Sequence, residues 1–179
     1  MAEFLWIFWS FSLLGWVLER LFAAVTRSPQ RRRRCLLLLP LCPVYGLGMA
    51  AVLALPPSLR SEWPLYLWGG LTATAVEYIY HWWGETFLGV SFWDYTGVFG
   101  NLRGRVCLPF SLAWGLLLFP AVYLVTPPVL ALADRVPVGV TWWLLLAFTA
   151  DAVCSLRFLA VTHDLEALRA VIWPVSADR

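Results

Sequence analysis

Residues 106–132, VCLPFSLAWGLLLFPAVYLVTPPVLAL, form a long run without a single charged side chain. An α-helix rises about 1.5 Å per residue and needs about 20 apolar residues to cross about 30 Å of hydrocarbon. This run is therefore long enough to cross a lipid bilayer as a helix.

Four further apolar stretches of similar length lie on either side of this run. Together they predict five membrane-spanning helices, and hence an all-α, polytopic helical bundle. The bundle is predicted to be a single transmembrane domain over residues 1–179, with a cytoplasmic tail at 161–179. The predicted spans are about 4–25, 35–55, 64–83, 106–132 and 137–160.

The composition excludes several classes of protein. Of the 179 residues, 61% are hydrophobic and 13% are charged, and the mean hydropathy is +0.73. A soluble domain carries about 45–50% apolar and about 25% charged residues, so a cytosolic globular enzyme and a disordered chain are both excluded. The net charge of +2 is too small to indicate a nucleic-acid partner. Four cysteines without CxxC spacing argue against a disulfide framework or a zinc site, and we expect no cofactor.

The arginines predict how the chain is oriented in the cell membrane. All 13 basic residues are arginine. Nine of them lie in the first loop, the third loop and the tail, whereas the second and fourth loops carry only Arg60 and Arg135. Because cytoplasmic loops carry an excess of basic residues, the N-terminus is predicted outside and the C-terminus in the cytoplasm.

Two segments interrupt the regular helical pattern. The second span contains Pro40, Pro43, Gly46 and Gly48, so its cytoplasmic half is predicted to be kinked or unwound. Residues 84–105 carry five glycines and are too apolar for a solvated loop, yet too broken for a span. We expect a re-entrant or interfacial segment there, between the third and fourth spans.

Polar side chains fall at similar depths in all five spans. Counted from the predicted cytoplasmic ends, these side chains lie roughly 8–14 Å below the surface. Ionisable groups inside a bilayer are rare and usually face the bundle interior, so this layer predicts a site in the core. The residues are Glu19, Cys42, Glu77, Ser111 and Asp151.

Helical spacing also places small and polar residues on common faces. Small residues let helices approach closely, so these faces are predicted to point inward. The three sets are Ser12, Gly15 and Glu19; Gly70, Ala73, Glu77, His81 and Glu85; and Cys107, Ser111 and Gly115. Glu77, His81 and Glu85 also have the spacing of metal ligands, but no second histidine lies nearby, and we predict no metal.

Several short blocks occur in an order that is specific. They are GWVLE (15–19), CPVYG (42–46), Glu77 with Glu85, WDY (93–95), Asn101, and GRVCLP (104–109) with Ser111, Trp114 and Gly115. Over residues 10–120 the chain resembles a bacterial integral-membrane family labelled as type IV ABC-transporter permeases. The resemblance implies transport. Because the sequence contains no nucleotide-binding pattern, it also implies an ATPase on a separate chain.

The residues themselves favour a membrane-embedded enzyme. Burial in an apolar pocket keeps a carboxyl group protonated, and aromatic faces stabilise cations by roughly 0.5–2 kcal/mol each. Proton-initiated cyclisation or isomerisation of an isoprenoid or lipid-like substrate needs both, and small integral-membrane terpene cyclases look similar in this chemistry. Glu77 is the predicted acid, with Glu19 or Asp94 as its partner or base. The predicted substrate-binding residues are Trp16, Tyr45, Tyr78, His81, Trp82, Glu85, Trp93, Tyr95, Asn101, Arg105, Ser111 and Trp114.

Two other functions remain open at this point. A pair of carboxylates at one depth also suits a membrane transport component, although the chain is small and shows no internal repeat. The polar layer could instead serve helix packing in a non-catalytic scaffold. The expected partners are a hydrophobic small molecule or lipid substrate and the membrane lipids, and a homo-oligomer is left open.

Overall fold

The computed structural model of the chain describes residues 1–26 and 35–170. Within these ranges the regular structure is helical, and the single extended pairing is an isolated bridge between Leu102 and Val106. The α-helices are α1 (Ala2–Thr26), α2 (Pro43–Leu53), α3 (Glu62–Pro64), α4 (Gly70–Trp83), α5 (Leu108–Pro120), α6 (Thr126–Ala133), α7 (Val138–Thr162) and α8 (Leu165–Ala170). Shorter turns are the 3₁₀ turn Pro57–Leu59 and the π-helical turns Leu65–Gly69, Gly84–Leu88 and Ala121–Val125.

Three helical stretches are long and apolar enough to cross a membrane. They are α1, the continuous stretch Leu108–Ala133 formed by α5 and α6, and α7. They correspond to the predicted spans at 4–25, 106–132 and 137–160. The protein is therefore an all-helical membrane protein.

The second and third predicted spans take a less regular form. The helical part of 35–55 is α2, which has 11 residues, and residues 35–42 before it are not helical. This confirms the predicted unwinding of that half. The helix α4 has 14 residues, and π-helical turns adjoin both of its ends.

Side-chain and backbone acceptors hold the unwound segment 35–42 in place. The amides of Leu38 and Leu39 donate hydrogen bonds of 3.0 and 2.8 Å to the two carboxyl oxygens of Asp151 on α7. The amide of Cys42 donates to the carbonyl of Ser12 at 2.9 Å. Backbone amides that pack into a core need hydrogen-bond acceptors, and these contacts provide them for three amides of the segment.

Two core clusters divide the bundle along its length, because α1, α2 and α4 each pass from one to the other. The apolar cluster is formed almost entirely by helices. The loop cluster gathers residues from 35–42, from the non-helical residues 89–107 and from α8. The apolar cluster comprises Ile7, Phe11, Met49, Val52, Leu65 and Leu118, and the loop cluster includes Leu36, Leu37, Phe92, Trp93, Leu159 and Leu165.

The predicted tail begins inside the fold. α7 ends at Thr162, and His163 follows in the left-handed conformation with its Nδ1 2.6 Å from the carbonyl oxygen of Leu88. Leu165 and Leu168 on α8 are buried in the loop cluster. At least the first part of residues 161–179 therefore packs against the bundle.

Part of the arginine pattern cannot be placed in the fold. Arg27, the run at 31–34 and residues 171–179 lie outside the described residues. The orientation in the membrane, which depends on them, stays a prediction.

Candidate functional site

Glu77 lies in the bundle core with both carboxyl oxygens engaged. Its exposed fraction is 2%. Oε1 accepts a hydrogen bond of 3.1 Å from the hydroxyl of Tyr95, and Oε2 accepts one of 2.8 Å from Nε1 of Trp114. Burying a carboxyl group is costly unless it is hydrogen-bonded, and these two donors meet that need. Glu77 thus acts as an acceptor on both sides.

Glu19 takes part in a similar contact with Tyr45, whose hydroxyl donates a hydrogen bond to its Oε1. The ring of Tyr45 packs against α1 at Gly15, where an added Cβ would overlap the ring. Tyr45 also meets Trp114 edge to face, with ring centroids 5.2 Å apart. Glu19, Tyr45, Trp114 and Glu77 therefore form a continuous series of contacts, which we call the aromatic bridge.

The aromatic bridge lies between two cavities. The first, of about 290 Å³, has an almost entirely apolar wall, and Glu77 is the carboxyl-bearing residue among the described residues that line it. The second, of about 430 Å³, is lined by Glu19 and Asp94 and by several aromatic side chains. Tyr45 and Trp114 belong to both walls, so the two spaces adjoin at this pair. The residues Leu18 and Leu117 are shared as well.

A second polar group lies at the end of α4. Nε2 of His81 is 3.1 Å from Oε1 of Glu85 and 3.2 Å from the hydroxyl of Ser91. The guanidinium of Arg105 donates from Nε to Glu85 at 2.7 Å and from Nη1 to the Tyr78 hydroxyl at 2.8 Å. The hydrogen bond to Glu85 is the main cause that raises the pKa of Arg105. Arg105 thus joins the non-helical residues 89–107 to α4 and to the π-helical turn that follows it, and we call these two hydrogen bonds the Arg105 clamp.

His81 is nearly fully buried, with an exposed fraction of 1%. Because a carboxylate can only accept, the contact with Glu85 places a proton on Nε2. Nδ1 is buried and has no hydrogen-bond partner among the described residues. Trp93 packs edge to face on the imidazole at 4.7 Å and donates from Nε1 to the carbonyl of Arg105 at 2.7 Å. His81 is thus enclosed by the loop.

Asp94 is exposed and lines the second cavity, although Trp93 and Tyr95 on either side of it are buried. Its Oδ1 accepts a hydrogen bond of 2.8 Å from the amide of Thr96. Hydrogen bonds from Thr96 lower the pKa of Asp94 below the ordinary value, and the bond from the Thr96 side chain contributes more than the bond from its backbone amide. Asp94 is therefore ionised at neutral pH, which suits a base or a cation contact and not a proton donor.

Four of the other predicted residues lie away from the aromatic bridge. Trp16 is partly buried in the loop cluster and carries the Arg20 guanidinium 5.1 Å above its ring. Trp82 is 42% exposed and packs edge to face on Phe87. The structure brings neither tryptophan to the two cavities.

Asn101 and Ser111 are engaged in local hydrogen bonds. Asn101 donates to the carbonyl of Val98 and accepts from the amide of Gly104, which orders a turn in the loop. The hydroxyl of Ser111 donates to the carbonyl of Cys107, one turn earlier. Neither residue belongs to the walls of the two cavities.

The predicted inward faces are confirmed, and they explain how the helices come close. Ser12 and Gly15 are buried on α1. Gly70 on α4 packs against Gly115 on α5, and a Cβ added at Gly70 would lie 3.2 Å from the Cα of Gly115.

In the part of the chain that the structure describes, no group of three or more His, Cys, Asp or Glu side chains could hold a metal ion.

Sequence reasoning missed two contributors to the site. Phe110 lines the second cavity, and its position four residues before Trp114 could have placed it on the same helical face. Ser91 contacts His81 from the loop, and no spacing rule relates residues across such a turn. Asp151, predicted to join the polar layer, instead binds the backbone of the unwound segment and the hydroxyl of Ser155.

Comparison with known proteins places these elements in one family. A family model described as "Putative ABC-transporter type IV" matches residues 6–156. The chain belongs to this family. The match extends beyond the resemblance at 10–120 and includes most of α7 with Asp151. No match was found among curated proteins or among solved structures.

The family membership bears on the competing functions. The aromatic bridge, the Arg105 clamp and Asp151 all lie within the matched residues. The family's description supports the transport hypothesis, which is the alternative to the enzyme that the residues alone favour. None of the comparisons supports terpene-cyclase chemistry.

Proposed function

We propose that the chain is a membrane-embedded component of an ABC-type transport system, and that the two cavities form its path for a hydrophobic small molecule or lipid. The single observation that carries this proposal is the aromatic bridge. It places one aromatic pair between two cavities, with Glu77 bound to Trp114 beside the first and Glu19 bound to Tyr45 beside the second.

The two cavities differ in a way that suits stepwise passage. The first is apolar and large enough for part of a lipid chain, whereas the second carries Glu19 and Asp94 beside its aromatic wall. An amphipathic substrate would place its apolar part in the first cavity and its polar part in the second. Passage between them requires Tyr45 and Trp114 to separate, which breaks their edge-to-face contact.

The proposed membrane arrangement has five spans, with the N-terminus outside and the C-terminus in the cytoplasm. Residues 35–55 form the second span, whose unwound first half is held by Asp151. Residues 64–83 form the third, and residues 84–105 fold back as a re-entrant or interfacial segment. The excess of arginines on one side supports this orientation.

The expected partner is an ATPase on a separate chain, because the sequence contains no nucleotide-binding pattern. A homo-oligomer would enlarge the enclosed volume, since five helices enclose little space by themselves. The lipids of the membrane are the remaining contacts of the exposed apolar helix faces.

A second candidate is the membrane-embedded enzyme, and one observation favours it. Glu77 is a buried carboxyl group in the wall of an apolar cavity that also contains Tyr45 and Trp114. Against it, both oxygens of Glu77 accept hydrogen bonds, whereas a general acid must present a proton. A cyclase mechanism would need Glu77 to exchange one of these contacts for the substrate.

One experiment with two readouts separates these functions. The tagged full chain is purified from its native membranes and tested for a co-purifying ATPase by mass spectrometry and ATP hydrolysis. The same sample in lipid nanodiscs is incubated with polyprenyl lipids and prenylated aromatics, and isomeric products are sought. A bound ATPase without products supports transport. Products without an ATPase overturn it.

Matched variants assign the role of the carboxyl group. Glu77→Gln replaces the buried carboxyl group by an amide, and Glu62→Gln makes the same change at an exposed carboxyl group. For transport we expect Glu77→Gln alone to lower substrate-stimulated ATP hydrolysis while the complex still assembles. If both variants retain the substrate-stimulated ATP hydrolysis of the wild type, the result would favour the non-catalytic scaffold.

A further inference from the structure

Two cysteines at the ends of the unwound segment lie in direct contact. The Sγ atoms of Cys35 and Cys42 are 2.9 Å apart, and neither residue forms a disulfide. In a continuous α-helix two residues seven positions apart would be separated by about 10 Å along the axis. The contact therefore exists only because residues 35–42 are not helical.

The surrounding structure holds the two thiols together. Leu36 and Leu37 are buried in the loop cluster, and the carboxyl group of Asp151 binds the amides of Leu38 and Leu39. The segment between the cysteines is thus fixed both by packing and by hydrogen bonds. Because the two sulfur atoms are already in contact, they would need to approach by less than about 1 Å to reach the S–S bond length of about 2.05 Å.

The two thiols differ in their access to small reagents. Cys35 is partly exposed, whereas Cys42 has an exposed fraction of 3%. Susceptibility to oxidation follows exposure, and a redox-sensing cysteine commonly has a second, resolving cysteine beside it. Cys35 is therefore the residue that a reagent meets first, and Cys42 is placed to resolve it.

We propose that Cys35 and Cys42 form a reversible redox modification site that takes a hydroperoxide as its oxidant. The Cys35 thiol attacks the peroxide, giving a sulfenic acid and, from hydrogen peroxide, one water. The Cys42 thiol then attacks the Cys35 sulfur, forms the S–S bond and releases a second water. Two thiols are oxidised to one disulfide, one peroxide is reduced, and a dithiol reductant restores the two thiols while it is itself oxidised.

The modification would act on the base of α2. Cys42 is the residue directly before this helix, and its carbonyl accepts a hydrogen bond of 3.1 Å from the amide of Tyr45. A bond from Cys35 to Cys42 would close residues 35–42 into a ring directly before α2, whose first turn contains Tyr45. The oxidised chain is therefore expected to hold the unwound segment more rigidly than the reduced chain does.

The test uses the full chain in lipid nanodiscs with hydrogen peroxide. After treatment the remaining thiols are alkylated, and the linkage is mapped by mass spectrometry of chymotryptic peptides. We expect a Cys35–Cys42 linkage that a dithiol reverses and that forms on the order of tenfold faster in the folded chain than in the chain unfolded in detergent. Cys154→Ser, at an exposed cysteine, should leave the linkage unchanged.

Single variants make the order of events testable. Cys42→Ser should accumulate the Cys35 sulfenic acid, which dimedone traps, and Cys35→Ser should leave Cys42 reduced. An unchanged thermal unfolding midpoint shows that each variant is folded. A linkage of Cys42 to Cys107, no linkage at all, or equal rates in the folded and unfolded chains would overturn the proposal.

Discussion

The apolar cluster and the loop cluster stabilise the same bundle by different means. In the apolar cluster, helices pack through side chains alone, as Leu65 and Leu118 do at the π-helical turn before α4. In the loop cluster, non-helical backbone enters the core and must be hydrogen-bonded there, as Asp151 does for Leu38 and Leu39. Loop residues such as Tyr95 and Arg105 add hydrogen bonds to α4 that helix packing does not supply, whereas the aromatic bridge itself consists of helical residues.

The largest expected effect tests the packing of the apolar cluster. Leu65 is fully buried, so Leu65→Ala should lower the free energy of unfolding by about 2–5 kcal/mol through lost contacts and a cavity. The measurement is unfolding by a denaturing detergent titrated into lipid–detergent bicelles. Leu67 lies in the same turn but is 59% exposed, and Leu67→Ala should have little effect. Equal losses would mean that the outer face is packed too.

The next effect tests the hydrogen bonds of the loop cluster. Asp151→Ala leaves two backbone amides without their acceptor and should cost about 2–4 kcal/mol. Asp151→Asn keeps one oxygen acceptor and should fall between this variant and the wild type. Amide hydrogen exchange of residues 35–42 should be slowest in the wild type, faster in Asp151→Asn and fastest in Asp151→Ala.

The control for this prediction is Asp134→Ala, because Asp134 is an exposed aspartate at the end of α6. It should leave both stability and exchange of the unwound segment unchanged. If Asp151→Ala also leaves the exchange unchanged, the segment is held by the packing of Leu36 and Leu37 and not by the carboxyl group.

A smaller effect concerns the aromatic bridge, which lies where the two clusters meet. Gly15→Ala would drive a methyl group into the ring of Tyr45 and should cost about 1–3 kcal/mol. Gly48→Ala on α2 meets no atom within 4 Å, so it should be neutral or stabilise by about 0.5–1 kcal/mol. Both are measured by the same bicelle titration. Similar values for the two variants would show that Tyr45 moves aside at little cost.

The same contrast explains what could be predicted from the sequence. The spans at 4–25, 106–132 and 137–160 agree with helices that begin and end within two residues of the predicted limits, because apolar length is a local property. The inward faces of α1, α4 and α5 follow from helical spacing and are also local. The limits and inward faces of regular helices can therefore be predicted from the local sequence alone.

The contacts of the loop cluster cannot be predicted from the local sequence, because they join residues that are far apart along the chain. Leu38 and Asp151 are 113 positions apart, and the proline-containing segment indicates unwinding without naming the acceptor. Likewise, Glu77 and Asp94 are both acidic residues near aromatic side chains in the sequence. The sequence places them in different segments, but only the fold shows that Glu77 is enclosed by Tyr95 and Trp114 while Asp94 is exposed.

The smallest expected effect tests this exposed side of the loop through its pH dependence. Hydrogen bonds from Thr96 lower the pKa of Asp94 in the folded chain, whereas an unfolded aspartate titrates near its ordinary value of about 3.9. The unfolded chain therefore takes up the proton first as the pH falls. The contribution of Asp94 to stability is complete above about pH 4 and is lost as the pH falls through the folded-state pKa.

Thr96→Val removes the hydroxyl donor but keeps the backbone amide, so it should weaken this loss of stability below pH 4 without abolishing it. Asp94→Asn should abolish it, and Thr96→Ser, which retains a hydroxyl group, should behave like the wild type. The readout is the unfolding midpoint between pH 2 and pH 6. A Thr96→Val profile identical to that of the wild type would mean that the backbone amide alone holds Asp94 in its ionised form. The hydroxyl would then have no part in ordering the exposed side of the loop.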